Sequence, residues 1–375
     1  MDKYTNDSSL EKINSLQKDL ADYDYLRKSD YAEPVEQKDF MVEFNKETQR
    51  IEGEIKRKES SCGIFSIKTA NDWINEAKNK PTPKMLFDEF WHEGEVCCLF
   101  ASSNVGKSIL AVQIANSISS GQAIKGFRLG TNKQKSLYFD FELSGKQFEG
   151  RYSKDYQDHY LFDENFFRIE FDPNMIVPDN TTFEEYLNNS IEKAIEQTGS
   201  KVLAIDNLTY LRNETEKSKD ALSLMKYLKA LKSKHGLSIL VLAHTPKRDF
   251  SKPLTINDLM GSSMLGNFFD SCFTIGASAK DKSMRYIKQI KVRECEKRFD
   301  AENVINCQII KYSNFVEFEF MGYGNEREHL KEVSEKDKSE VKQQAKELSE
   351  QGVSNREIAR RCGVSEGAVR KWLKS

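Results

Sequence analysis

From about residue 63 to 323, apolar residues fall into short unbroken runs separated by longer amphipathic stretches. The runs at 96–101, 136–142, 166–171, 201–206, 238–243 and 271–276 are rich in Val, Ile, Leu, Phe and Ala. A run without polar alternation predicts a strand covered on both faces. Helix-period patterns lie between several of them, at 107–119, 181–197 and 218–234. Strand and helix in alternation predict βαβ units and a mainly parallel sheet. Three more strand patterns follow with little helix between, at 284–292, 304–312 and 315–321, and Ser313-Asn314 reads as a hairpin turn. The expected core is α/β, with an antiparallel extension at one side of the sheet.

The flanks differ in character. Residues 1–62 are charged and helix-prone, with Leu10, Ile13, Leu16 and Leu20 at helical spacing. Heptads are not sustained, so no coiled coil is expected. A solvated helix and a helix packed on a neighbouring subunit both fit. Residues 324–340 read as a charged linker, and 341–375 as a compact all-α unit. In that unit a helix ends at Ala345–Glu350 and Gly352 breaks it. Ser354-Asn355-Arg356-Glu357 is a capping box for a second helix. Cys362-Gly363 turns the chain, and Ser365 caps a third helix, Glu366 to Lys374. Leu348, Ile358, Ala359, Val364, Val369, Trp372 and Leu373 supply a small core. Arg370, Lys371 and Lys374 fall on the opposite face, suited to phosphates or base edges in a major groove.

Composition narrows the partners. The formal net charge is −2, so any contact with nucleic acid must come from local patches. No apolar run approaches the roughly 18 residues of a membrane span, and the charged N-terminus does not read as a signal peptide. Seven cysteines are scattered without metal-ligand spacing, and Cys97, Cys98 and Cys272 sit in strand patterns as core residues. A cytoplasmic protein with no membrane partner is expected.

The chemistry concentrates after the first strand. Ala101-Ser102-Ser103-Asn104-Val105-Gly106-Lys107-Ser108 follows Val96–Phe100 and opens a helix at Ile109. Strand, Gly-Lys-Ser turn and helix make a phosphate-binding loop: backbone N–H groups and the helix N-terminus face phosphate oxygens. Lys107 would reach the β- and γ-phosphates of ATP, and the Ser108 hydroxyl would ligate Mg²⁺. The first glycine of the usual pattern is replaced by Ala101. Val202–Asp206 is an apolar strand ending in the carboxylate expected at Mg²⁺. Leu137–Ser144 carries Asp140 and Glu142 near a strand's C-terminal end, with Glu142 expected as general base and Asp140 as its competitor. Ser238–Thr245 ends in His244, expected to face the γ-phosphate. Lys291 and Arg293 lie in a basic stretch from Arg285 to Arg298.

In this order, the strands ending Phe-Glu-Leu-Ser, Ile-Asp-Asn and Ala-His-Thr, with a late Lys-Val-Arg, resemble the RecA-like ATPase core over about residues 80–323. The likeness is greatest to the hexameric helicase branch, DnaB and the plasmid replication helicase RepA. It implies Lys107 and Ser108 at phosphate and Mg²⁺, Asp206 as the second-motif acid and Glu142 as the catalytic glutamate. It also implies His244 as a polar sensor, with Lys291 and Arg293 as a finger pair acting on a neighbouring subunit. The segments Tyr210–Lys219 and Lys247–Asn267 would line a central channel, with Lys247, Arg248 and Lys252 at DNA phosphates. A homo-oligomer, as a hexameric ring, is the form so implied. No primase or DnaB-type N-terminal domain is evident. Gly352–Leu373 resembles the DNA-binding helix-turn-helix of resolvases and transposases. The functional expectation is an ATP-dependent DNA motor, helicase-like, in replication or mobilisation of DNA. The alternative is an ATP-dependent switch for transposition, replication initiation or transcription without unwinding.

Overall fold

The computed structural model describes residues 61–62, 65–172, 174–207, 219–246, 248–259, 263–293, 295–332, 335–362 and 364–374. The stripe predicted from Leu10 to Leu20 and the Tyr210–Lys219 loop up to residue 218 lie outside these. The chain divides into two compact units, Met1–Thr82 and Pro83–Ser375. The first holds an antiparallel pair, β1 (Ser61–Cys62) and β2 (Phe65–Ser66), and a helix, α1 (Ala70–Lys78). Thr69 caps α1 by accepting the N–H of Asp72.

In the second unit a short antiparallel pair, β3 (Met85–Phe87) and β4 (Trp91–His92), precedes β5 (Val96–Ala101) and α2 (Lys107–Ser120). Then come β6 (Ser136–Asp140), α3 (Gly145–Arg151), the pair β7 (Ser153–Lys154) and β8 (Asp158–His159), and β9 (Phe166–Ile169). Helix α4 (Phe183–Thr198) leads to β10 (Val202–Asp206), and α5 (Lys219–His235) to β11 (Ser238–His244). A short α6 (Ser263–Phe268) precedes β12 (Ser271–Ala277), β13 (Met284–Lys291), β14 (Val304–Tyr312) and β15 (Phe315–Gly324).

One nine-stranded sheet runs β15-β14-β13-β12-β5-β11-β10-β6-β9. From β12 to β9 all pairings are parallel, and β13, β14 and β15 add the antiparallel extension. Alternate residues of the parallel strands enter opposite cores, which is why the sequence shows runs and not alternation. Cys97, Leu99, Tyr138, Ala204, Leu240 and Phe273 face a cluster that includes Leu110, Ile114 and Ile118 of α2. Val96, Cys98, Phe100, Leu137, Leu203 and Val241 face Leu187, Ile191 and Ile195 of α4 and Leu224, Leu228 and Leu231 of α5. Cys97, Cys98 and Cys272 are buried core residues, as expected, and so is Cys307 of β14. The β14–β15 hairpin turns at Ser313-Asn314, with Tyr312 paired to Phe315.

Three helices follow: α7 (Glu335–Glu350), α8 (Asn355–Cys362) and α9 (Glu366–Lys374). Helix α7 begins within the stretch 324–340. Before it, a 3₁₀ turn at Glu326–His329 folds back on the sheet domain, with Glu326 buried against Lys288. Ala345, Ile358, Ala359 and Val369 form the small core of α7–α9. The hydroxyls of Ser354 and Ser365 accept N–H groups of Glu357 and Ala368, as the caps predict. The capping box differs on its other side. The Glu357 carboxylate is held by Arg360 and Arg361, two charge-assisted partners that outcompete a single backbone N–H.

Candidate functional site

The parallel register gathers four chain segments at one edge. Ala101 of β5 pairs with His244 of β11, and Asp206 of β10 with Asp140 of β6. With the order β5-β11-β10-β6, the phosphate-loop sequence, His244, Asp206 and Glu142 lie side by side at the strands' C-terminal ends, where ligands of open α/β sheets bind.

The loop has the backbone its sequence promised. Asn104 and Gly106 take left-handed conformations, φ 63° and 104°. A Cβ on Gly106 would sit 2.7 Å from Ile309 Cδ1 and 2.9 Å from Phe318. Ala101 stays in the strand with ordinary φ, so a methyl group replaces glycine there without strain. Its carbonyl accepts Lys107 Nζ at 3.1 Å and the Thr245 N–H at 3.1 Å. The side chains of Ser102 and Thr245 meet at 2.9 Å. Ser103 is exposed, Val105 is buried, and Ile109 packs on the α2 core.

Lys107 Nζ also donates to Ser102 O at 3.2 Å and lies 3.1 Å from His244 Nδ1. Burial lowers its pKa, opposed by the charges of Asp206 and Glu142. The other imidazole nitrogen, His244 Nε2, is 3.0 Å from Asn207 Nδ2 and 3.4 Å from Glu142 Oε1. Asn207 donates to the same Glu142 oxygen. The hydrogen bond with His244 holds the Glu142 carboxyl below its ordinary range, with His244 and Lys107 charge helping against desolvation. One chain of contacts therefore runs Lys107–His244–Glu142, with Asn207 bracing its far end.

Asp206 is set deeper. Burial pushes its carboxyl up to about 6, while the Ser108 and Tyr138 hydroxyls pull the other way. Tyr138 donates to Oδ2 at 2.7 Å, and Oδ1 is buried without a hydrogen-bond partner. An unsatisfied carboxylate oxygen beside the Ser108 hydroxyl, with Glu142 near, is an oxygen donor set that fits Mg²⁺.

The two carboxylates of β6 separate. The strand ends at Asp140, short of the predicted 142, because Asp140 Oδ1 accepts the N–H groups of Glu142 and Leu143 at 3.2 and 2.9 Å. That Asx-type turn breaks the period-two relation expected between them. Asp140 is buried and paired with Arg168, and Glu142 keeps an accessible side chain.

Lys291 and Arg293 are elsewhere. Lys291 pairs with Cys272, and Cys272 with Cys98, which puts both basic residues toward the opposite edge from the phosphate loop of the same chain. Lys291 Nζ donates to the carbonyls of Gly266, Asn267 and Phe269 at 2.9, 3.4 and 2.8 Å. Arg293 reaches Asp270 Oδ1 at 3.3 Å and Asn267 O at 3.2 Å.

The expected channel segment Lys247–Asn267 is only partly a surface loop. Lys247 lies outside the described residues. Arg248 donates to the carbonyl of Lys252 and stacks 5.7 Å from the Phe250 ring, and Lys252 is exposed near Asp249. Among the described residues from Leu254 on, Leu254, Leu259 and Leu265 belong to the core, and Thr255, Asn257 and Asn267 are exposed. In α9, Arg370 is 65% exposed and paired with Glu366, and Lys371 is exposed; the Lys374 side chain lies outside the described residues.

Sequence reasoning gave no role to Asn207, Thr245, Tyr138 or Arg168. Asn207 and Thr245 do follow the strand-end residues Asp206 and His244 directly. Nothing local marks Tyr138 or Arg168, whose partners are distant in sequence.

Residues 66–249 match the AAA domain family, and residues 336–375 match a homeodomain-like domain. Among solved structures, the KaiC-like protein of the hyperthermophilic archaeon Pyrococcus horikoshii aligns with 14% identity and a TM-score of 0.41, covering 61% of this chain and 91% of that one. No curated protein sequence matches this chain. The chain thus carries a domain similar to the AAA domain family on a mixed α/β fold, and a C-terminal three-helix domain similar to the homeodomain-like family. Among the described residues no helix is long and apolar enough to cross a membrane.

Proposed function

We propose that this protein is an ATP-dependent DNA-binding motor, helicase-like, that hydrolyses ATP at the β5-β11-β10-β6 edge. The observation that carries the reading is the convergence of Lys107, Ser108, Asp206, Glu142 and His244 there from four separate strand ends. Lys107 would exchange its carbonyl and His244 contacts for the β- and γ-phosphates, whose negative charge favours the ammonium form against the lowering by burial. Ser108 and Asp206 would hold Mg²⁺. When bound, that ion supplies charge neutralisation on the β- and γ-oxygens. Glu142, ionised and braced by Asn207 and His244, accepts the proton of the attacking water. His244 touches both Lys107 and Glu142, so it registers whether the phosphate is in place.

DNA is the second ligand. Arg248 and Lys252 in the sheet domain, with Arg370 and Lys371 on α9, supply phosphate contacts. A homo-oligomeric ring, in which Lys291 and Arg293 approach the neighbouring subunit's nucleotide, fits their distance from the loop of their own chain.

The switch reading draws on one observation. Phe250 O, in the turn after His244, accepts the Lys331 N–H just before α7. That bond ties the segment following the sensor strand to the one leading into the DNA-binding unit. Strand displacement on a forked duplex with ATP separates the two readings. ATP-dependent unwinding supports the motor. ATP-dependent binding to duplex without displacement supports the switch. Lys107→Ala tests both, because it should abolish nucleotide binding or turnover and leave the melting curve cooperative. Wild-type hydrolysis by that variant would place the nucleotide elsewhere.

A further inference from the structure

Glu142 stands on a bend beyond the end of β6, where no ladder bond of its own fixes it. Its backbone is nevertheless held from two sides. Asp140, 2% exposed, takes the N–H groups of Glu142 and Leu143 on Oδ1. On Oδ2 it takes Arg168 Nε at 2.8 Å. Arg168 comes from β9, opposite Tyr138 in register. Its Nη2 donates to Leu143 O at 2.6 Å, its Nη1 to Glu170 Oε2 at 2.8 Å, and its guanidinium lies 4.8 Å from the Phe148 ring centroid. One guanidinium thus spans the buried acid and the carbonyl that follows Glu142. The planar fork of arginine allows this span, and a lysine ammonium does not reproduce it.

We infer that Asp140 and Arg168 are a positioning pair that fixes the Glu142 carboxylate for its work on the attacking water. The inference rests on the assignment of Glu142 as general base. A plain structural role, joining β6 to β9, would need only the ion pair. The bonds to both N–H groups and to Leu143 O go further, because they set the direction in which residue 142 leaves the strand. Displacing a catalytic group by about 1 Å costs on the order of 100-fold in rate. Lys107 and the phosphate loop follow β5, three strands away from β6, so nucleotide affinity should not change with it.

The test uses the full chain, with steady-state ATPase kinetics and binding of a fluorescent ATP analogue. Arg168→Gln should lower kcat by about 10- to 100-fold while KM and analogue affinity stay within about two-fold. Arg168→Lys should fall between that variant and the wild type, again with KM unchanged. Combined with Glu142→Gln, Arg168→Gln should cause no further loss, because both remove the same step. Wild-type kcat in Arg168→Gln, parallel loss of kcat and nucleotide affinity, or an additive loss in the double variant overturns the positioning role. Should Arg168→Gln fail to fold, the Lys variant decides alone: reduced kcat at constant KM supports the role, and unchanged kcat overturns it. Failure of the general-base assignment has a different signature, since Glu142→Gln would then bind the analogue and turn over at the wild-type rate.

Discussion

At the scale of single residues, Asp206 sets a pH dependence of its own. Its carboxyl is raised by burial from an ordinary 3.8 to about 6. The folded chain therefore holds this proton more tightly than the unfolded chain. The stability it contributes is full below about pH 4 and is lost as pH rises through about 6. Such a shift is worth about 3 kcal/mol. Asp206→Asn keeps a carbonyl oxygen for the Tyr138 hydroxyl and cannot ionise. In the nucleotide-free, metal-free protein it should melt higher than the wild type at pH 8, and the gap should close toward pH 4. Parallel melting profiles from pH 4 to 8 would show that Asp206 is not held near neutrality. Mg²⁺ should protect the wild type and not the variant, because the ion needs the carboxylate.

At the scale of elements, β13 holds its basic residues apart from the nucleotide edge of its own chain. Lys291 and Arg293 bind carbonyls and Asp270 around the end of α6. Any role of theirs in phosphoryl transfer must act on another subunit's nucleotide. ATPase activity per subunit should then rise with protein concentration. Mixing Arg293→Ala with Lys107→Ala should restore a measurable part of the activity that each lacks alone, because some interfaces pair an intact loop with an intact arginine. A mixture as inactive as its components, with specific activity independent of concentration, would remove the finger role.

At the scale of the whole molecule, the helix-turn-helix makes its own small core from Ala345, Ile358, Ala359 and Val369, and Arg370 and Lys371 take no part in it. Replacing both with Ala should leave ATP binding and the melting of the protein unchanged. Duplex binding should weaken, and the slope of log K against log salt should flatten by about 0.9 per lost phosphate contact. A salt series with the full chain measures both. Unchanged affinity and slope would assign this face to a protein partner.

The sequence by itself determined the repeating units: which runs are strands, that they are buried on both faces, where the Gly-Lys-Ser turn sits and how Ser354 and Ser365 start helices. Those features follow from local spacing and backbone conformation, and a single stretch of chain carries them. It also marked Glu142, Asp206 and His244 as candidates, because a polar residue at or just past the end of an apolar strand is visible in one dimension. Only the tertiary structure decided which strands are neighbours. That order brings His244 between Lys107 and Glu142, binds Arg168 to Asp140 and sends Lys291 and Arg293 to the other edge. It also packs Leu254 and Leu259 into the core. The physical reason is that a hydrogen bond or an ion pair depends on distance in space. Register across a nine-stranded sheet sets that distance through packing of all its faces together, and no local pattern records it.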